Sequence, residues 1–432
     1  MKSENQRAPE ARANNIETAF LVGVQWPGMP ESESREHLRE LEALVDTMGL
    51  IIKERIVVKL RKPGMRYLIG TGKAAEIAER AEEIDVDCII FDDDVSPSQQ
   101  RNWENMSDRC VIDRQEVILD IFASRASTRE AVLQVGLARM EYSLPRLTRA
   151  WTHLSRQRGG RRGTRGEGET QLEADRRIVL RKIGRMKKEL EKVRLQRGTL
   201  RKRRLSVPMP TAAIVGYTNS GKSTLLNALT GAGVFVENRL FATLDPTTRR
   251  LELHNGSDVL ITDTVGFVRK LPHDLVDAFK STLEETVMSE YLIHILDASS
   301  PEVDQHNQTT LSVLEEIGAS NKPSLTVFNK IDLIEEPSKI EELKRNHPEA
   351  LFISAKKGRG LDELITAIKG LVYDREEICR FTFPSNRHDL AALVHRTGRV
   401  LDENYQREGI ELSAQVPLKV KGQLAEYLVQ QA

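Results

Sequence analysis

The sequence predicts an α/β protein in which two stretches of alternating strands and helices are separated by a basic helical hairpin and followed by a short α+β tail. Three observations predict it. Short apolar runs alternate with helix-period runs over residues 16–125 and again over residues 208–373. A heptad-patterned, strongly basic segment lies between them. A glycine- and serine-containing loop, GYTNSGKST from Gly216 to Thr224, sits between an apolar run and a helix-like run.

The first stretch reads as a small α/β domain over residues 1–125. TAFLVGVQW, Thr18 to Trp26, is strand-like. The helix after it puts Leu38, Leu41, Leu44, Val45 and Met48 on one face, with Ser32 or Ser34 as its N-cap. IIKERIVVKL and VDCIIFDDD read as strands, with the helix GKAAEIAERAEEI between them. LIGTGKAAEI lacks the spacing of a phosphate loop and its following Ser or Thr. The run Asp92 to Asp94 reads as a solvated strand end rather than a metal site.

Residues 126–207 read as an antiparallel helical hairpin. Leu133, Leu137, Met140, Leu144, Leu147, Trp151 and Leu154 recur at alternating spacings of 4 and 3. Val179, Ile183, Met186, Leu190 and Val193 form a second seam, continued at Leu200. Pro145 interrupts the first. From Ser155 to Arg204 there are 19 Lys or Arg and 6 Asp or Glu, a net charge of +13 in a chain whose total is zero. In the tip, Arg156, Arg158, Arg161, Arg162 and Arg165 alternate with glycines. Arginine forks on flexible backbone suit a phosphate-lined cleft, so nucleic acid is the expected partner.

Residues 208–374 read as a doubly wound domain and residues 375–432 as an α+β domain that leans on a neighbour. Cys88, Cys110 and Cys379 make neither a disulfide framework nor a zinc pattern. The polar start, MKSENQRAPEARANN, is unlike a signal peptide, and no run spans a bilayer. A cytoplasmic protein without a membrane span is expected, and a monomer, because the seams can pair within one chain.

The chemistry concentrates in the doubly wound domain. The opening loop fits G-x-x-x-x-G-K-[ST], with a strand before it and a helix after it. Gly216, Tyr217, Thr218, Asn219, Ser220 and Gly221 offer backbone N–H groups to phosphates. Lys222 reaches the β- and γ-phosphates, and Ser223 offers its hydroxyl to Mg²⁺. Asp263, Thr264, Val265 and Gly266 follow the run VLIT; there a carboxylate holds Mg²⁺ through water and Gly266 gives its N–H to the γ-phosphate. Asn329, Lys330, Ile331 and Asp332 follow SLTVF. A carboxylate there accepts from N1–H and the exocyclic amine of guanine, a pattern adenine lacks, so Asp332 selects GTP and GDP. Ser354, Ala355 and Lys356 place a backbone N–H against guanine O6. Phe241, Ala242, Thr243, Leu244 and Asp245 lie where a switch segment belongs. Thr243 is the expected second hydroxyl on Mg²⁺, with Thr247 and Thr248 as rivals. Lys222, Thr243 and Gly266 are the expected catalytic set.

The residue after Gly266 is Phe267, where many GTPases carry a water-positioning glutamine. Intrinsic hydrolysis is therefore expected to be slow, with stimulation by a partner or a cation. Asn219 has two readings of equal weight. Its amide oxygen holds K⁺ against the phosphates, or it stabilises the loop.

The ordered set GYTNSGKS, FATLDPTTR, DTVGFVRKLP, NKID and SAK, preceded by GGRRGTRGEGETQLE, closely resembles the HflX family of GTPases, related to Obg. The resemblance spans at least residues 120–373, and the layout of the ends agrees with it. It implies a GTPase of the translation-factor class that binds the large ribosomal subunit and its rRNA and splits stalled ribosomes under stress such as heat. It also implies that Phe267 is normal for the family, and that some members use ATP through the N-terminal region, where this sequence has no phosphate loop. The competing function is a GTP-gated rRNA-binding or assembly factor that splits nothing; a more distant one is a coiled-coil interaction protein in which GTP is structural.

Overall fold

The computed structural model describes residues 16–62, 64–147, 171–205, 209–231, 240–241, 243–253, 257–269, 283–373, 376–406 and 409–429. These form two compact units divided between Val193 and Arg194.

The first unit is built on a four-stranded parallel sheet: β1 (Thr18–Gln25), β2 (Ile51–Lys59), β3 (Cys88–Phe91) and β4 (Cys110–Asp113), in the order β2-β1-β3-β4. Strands β1, β3 and β4 are buried, mostly apolar runs, as in a sheet covered on both faces, whereas the edge strand β2 alternates exposed and half-buried residues. Helix α1 (Glu31–Met48) buries Leu38, Leu41, Leu44 and Val45. It starts after Pro30 with no side-chain cap. Ser32 and Ser34 lie inside it, and the Ser34 hydroxyl donates to the Glu31 carbonyl (2.8 Å), so the expected serine cap is absent. Helix α2 (Thr71–Glu83) and helix α3 (Pro97–Ser107) pack on the core around Trp103. Truncating Trp103 to Ala would cost about 3–5 kcal/mol. A capping box of Ser96 and Gln99, with Pro97 in the first turn, fixes where α3 begins. Helix α4 (Arg114–Arg125) follows β4 directly, with Asp113 as its N-cap.

Asp92 and Asp93 are not a solvated strand end. Both are buried: Asp92 pairs with Arg114 (2.9 Å) and Asp93 accepts from the Trp26 indole (2.9 Å). Only Asp94 of the three is exposed.

Helix α5 (Arg129–Ser143) stops where expected, and Pro145 sits in a 3₁₀ turn, Leu144–Arg146. Its buried face is Ala131, Val135, Ala138 and Tyr142, while the heptad residues Leu133, Leu137 and Met140 are only half-buried. The helix turns this face to the domain, and α4 packs against α5. Helix α6 (Gln171–Leu205) does bury its seam at Val179, Ile183 and Leu190. Lys187 pairs with Glu141 of α5 (2.8 Å). Trp151, Leu154, the arginine–glycine tip and the side chain of Leu200 lie outside the described residues.

The second unit holds a six-stranded sheet in the order β10-β9-β8-β5-β7-β6. Its strands are β5 (Thr211–Gly216), β6 (Thr247–Leu253), β7 (Ser257–Asp263), β8 (Tyr291–Asp297), β9 (Ser324–Asn329) and β10 (Leu351–Phe352). All pairings are parallel except β6 with β7. Helix α7 (Lys222–Thr230) and helix α10 (Leu361–Tyr373) bury Leu225, Leu226, Leu364 and Ile368 against Ile214, Ile261 and Ile293. Helices α8 (Val303–Glu316) and α9 (Pro337–Asn346) complete the layers.

The C-terminal residues form a three-stranded antiparallel sheet of β11 (Glu376–Phe383), β12 (Arg399–Gln406) and β13 (Gly409–Pro417), ordered β11-β13-β12. Helices α11 (His388–Thr397) and α12 (Leu418–Gln423) accompany it. These residues have a core of their own, with Phe381, Phe383, Val394, Ile410, Leu412 and Val416 buried together. Strand β12 has a mostly exposed, polar pattern, which hides it from periodicity. Among the described residues no helix is long and apolar enough to cross a membrane.

Candidate nucleotide site

Strand β5 ends at Gly216 and α7 begins at Lys222, so the loop between them exposes the N-terminus of α7 at the carboxyl edge of the sheet. Asn219 and Gly221 both have left-handed backbone (φ 57° and 98°), which coils the loop, and Asn219 is exposed at its crest. Lys222 arches back under this coil. Its Nζ donates to the carbonyls of Gly216 (3.2 Å) and Tyr217 (2.8 Å). Burial pushes the ammonium down to about 8, with Lys330 lowering it further and Asp263 opposing.

Three oxygen-bearing side chains converge beside it. The Ser223 hydroxyl lies 2.6 Å from Asp263 Oδ2 and 2.7 Å from the Thr243 hydroxyl, which itself donates to Asp263 Oδ2 (2.9 Å). Among the described residues Asp263 Oδ1 is buried without a hydrogen-bond partner, as is the Ser220 hydroxyl. Burial raises the Asp263 carboxyl, and its bonds from Ser223 and Thr243 partly offset that. Two hydroxyls and an orphaned carboxylate oxygen are hard donors, the set a Mg²⁺ ion takes. The rivals are placed differently: the Thr248 hydroxyl meets Thr262 across strands (2.9 Å), and Thr247 is a strand residue of β6.

Two residues before Thr243 the chain is anchored. Phe241 is buried with left-handed backbone, and its N–H donates to the Thr218 hydroxyl (3.0 Å). Leu244 is buried and Asp245 half-buried; Ala242 lies outside the described residues.

The segment after β7 is zipped to the loop. Thr264 donates to the Ile214 carbonyl (2.6 Å), and Val265 is buried. Gly266 is required by proximity, because a Cβ there would lie 2.6 Å from Thr218 Cα and 2.9 Å from Lys222 Nζ. The Phe267 N–H donates to Gly216 (3.1 Å) and its carbonyl accepts from Thr218 (2.7 Å), while its ring is buried. Phe267 is thus a core side chain on a main-chain bridge. Tyr217 adds a clamp: its hydroxyl accepts from the Arg269 N–H (2.8 Å) and its ring stacks on His306 at 3.8 Å.

The base-side residues assemble at the ends of β9 and β10. Asn329 is a bracket: its amide donates to the Ser220 carbonyl (2.9 Å) and its Oδ1 accepts from the Ala355 N–H (3.0 Å). Asp332 Oδ1 accepts from the Ser354 hydroxyl (2.6 Å), which orients the carboxylate. Lys330 has left-handed backbone and pairs with Asp297 (2.7 Å). Ile331 packs against the cluster of Leu296, Ala298 and Phe328, and Lys356 is exposed.

Comparison with known proteins then decides the family. Residues 35–123 match a family model described as GTP-binding GTPase N-terminal, and residues 125–204 one described as GTP-binding GTPase Middle Region. Residues 211–330 match a model described as 50S ribosome-binding GTPase. The GTPase HflX of Akkermansia muciniphila is 47% identical over 96% of this chain and 97% of its own. That of Lacrimispora saccharolytica is 44% identical over 95% and 96%. That of Escherichia coli is 41% identical over 91% and 90%.

The chain belongs to the HflX family of GTPases. As an HflX GTPase it binds GTP and GDP and hydrolyses GTP. Sequence reasoning passed over Asp297 and His306, which hold Lys330 and Tyr217. Asp297 had a signal: it ends the apolar run YLIHIL, a strand-end position like that of Asp263. His306 had none, since stacking across elements leaves no trace in spacing.

Proposed function

We propose that this GTPase acts on the large ribosomal subunit, engaging rRNA through the basic hairpin, and splits stalled ribosomes under stress such as heat. The observation that carries the ribosomal reading is the match of residues 211–330 to the 50S ribosome-binding GTPase model. The net charge of +13 between Ser155 and Arg204 supports RNA as the contacted surface. In this reading residues 126–207 form the RNA-binding hairpin of a cytoplasmic monomer, between an N-terminal domain (1–125), a GTP-binding domain (208–374) and a C-terminal domain (375–432).

Within the site, Ser223 and Thr243, with Asp263 beside them, would hold Mg²⁺. The ion supplies neutralisation of phosphate charge. Lys222 exchanges its two backbone carbonyls for phosphate oxygens. Gly266 stays small so that its N–H approaches the terminal phosphate. Asp332, held by Ser354, reads guanine. Because the Phe267 ring is buried, no side chain at that position orients water, and the ribosome completes the site.

Steady-state GTP hydrolysis with and without purified large subunits, in K⁺ and in Na⁺, tests this. Subunits should raise the rate strongly, and a further gain in K⁺ would assign a cation to Asn219. Sucrose-gradient analysis of 70S particles separates the readings. Stimulated hydrolysis with intact 70S particles would favour the assembly-factor alternative. A rate indifferent to subunits would end the ribosomal reading.

A further inference from the structure

We infer that the first unit carries a second RNA-binding element, the cationic loop between β2 and α2, which grips the phosphate backbone independently of the hairpin. This rests on the reading that ribosomal RNA is a partner. From Lys59 to Lys73 the chain has five Lys or Arg and no Asp or Glu. Lys73 pairs with Glu76, whereas Lys59, Arg61, Lys62 and Arg66 are exposed and form no ion pair among the described residues.

The loop is a built structure. Gly64 and Leu68 exchange both backbone hydrogen bonds (2.8 and 3.0 Å). Leu68 adopts left-handed backbone (φ 68°), and a Cβ on Gly64 would lie 2.7 Å from the Ile69 carbonyl. Three side chains of α3 hold the loop carbonyls: Gln99 donates to Gly64 (3.2 Å), Asn102 to Arg66 (3.0 Å) and Trp103 to Tyr67 (3.0 Å). Tyr67, Leu68 and Ile69 are buried in the core, while Met65 at the tip is 97% exposed.

The stretch from Gly64 to Ile69 is thus fixed from beneath, and the side chains of Arg61, Lys62 and Arg66 are exposed. Fixing the backbone in advance lowers the entropy lost on binding. Arginine forks match phosphate oxygens in pairs. A rigid array of cations suits the fixed phosphate spacing of folded RNA better than a flexible acidic peptide.

The test uses the full-length protein, purified large ribosomal subunits and the triple variant Arg61→Gln, Lys62→Gln, Arg66→Gln. Binding is measured over a salt series from about 50 to about 300 mM. The variant should bind about tenfold more weakly near 150 mM salt, and its log–log salt slope should be shallower by about 2. Its hydrolysis rate without ribosomes and its melting temperature should match those of the unaltered protein. In parallel, a photo-crosslinking residue placed at Met65 should attach to rRNA. Crosslinking to a ribosomal protein alone would overturn the RNA assignment in favour of an acidic protein surface. An unchanged affinity and slope in the variant, with the unaltered protein binding normally, would overturn the inference and leave the ribosomal reading standing. Failure of the unaltered protein to bind subunits would remove both.

Discussion

At the carboxyl ends of β1 and β3, where the strand order of the first sheet reverses, the buried carboxylates are paired. Trp26 donates to Asp93, and Arg114 binds Asp92 and Glu40, both at 2.9 Å. Around the carboxyl end of β5 the second sheet does the opposite. Among the described residues Asp263 Oδ1 and the Ser220 hydroxyl are buried without hydrogen-bond partners, and the desolvated Lys222 ammonium donates to two backbone carbonyls. Parallel sheets make a crevice at such a reversal whatever their function. The difference teaches that topology provides the crevice while polar satisfaction decides its use. A self-paired crevice is stabilising architecture. One that leaves desolvated charge and orphaned oxygens has its complement in a ligand.

The sharpest contrast comes from removing one cation in each crevice. Lys222→Ala should lower GTP hydrolysis by about 10³-fold while leaving the melting temperature within a few degrees. Arg114→Leu should do the reverse. It removes the cation paired with Asp92 and Glu40, so unfolding stability should fall by about 3–5 kcal/mol, with GTP affinity of the surviving folded protein unchanged. Denaturant titration and phosphate-release assays on both variants check this. A large loss of GTP affinity in Arg114→Leu would mean the first crevice is not merely architectural.

Next in size is Phe267→Gln. Because the ring is buried, the amide should not restore a water-positioning group. The intrinsic rate should rise by less than about threefold, and stability should fall by about 1–3 kcal/mol. A tenfold faster variant would show that this position reaches the nucleotide.

The smallest effect is on pH. Phosphate favours charged Lys222, so the bound form holds its proton more tightly than the free form, whose group sits at about 8. GTP binding should therefore take up protons as pH rises through 8, and affinity should weaken by up to about tenfold per unit above it. Calorimetry at pH 8.5 in two buffers of different ionisation enthalpy measures the uptake. None would mean that Lys222 is already fully charged.

Glu116 behaves differently from these site groups. Burial, with Asp113 and Asp120 nearby, raises its carboxyl to about 8. Folding therefore favours the protonated form, and the stability it confers is lost as pH climbs from about 4.5 to 8. Glu116→Gln should flatten that part of the stability profile, read as melting temperature against pH.

The four motif words were legible because each is local: a strand end plus a few residues that must follow it. Their flanking apolar runs also marked β5, β7 and β9, and separate apolar runs marked β1, β2 and β3. What spacing misled on was orientation and pairing. The heptad at Leu133, Leu137 and Met140 suggested a seam two residues off the face α5 buries, which is Ala131, Val135, Ala138 and Tyr142. Strand β12 was hidden by its polar pattern, and the aspartates of β3 seemed solvated because Trp26 and Arg114 are distant in sequence.

By itself the sequence determined the nucleotide class, the order of the parts and the place of the charge. Those follow from residue type at fixed short spacing. Only the tertiary structure decided that Thr243 rather than Thr247 or Thr248 sits beside Ser223 and Asp263, that the Phe267 ring turns inward, and that the first crevice is closed by its own ion pairs. Each of those outcomes depends on which chain segments meet across the sheet. Side chains far apart in sequence compete there for the same few buried partners.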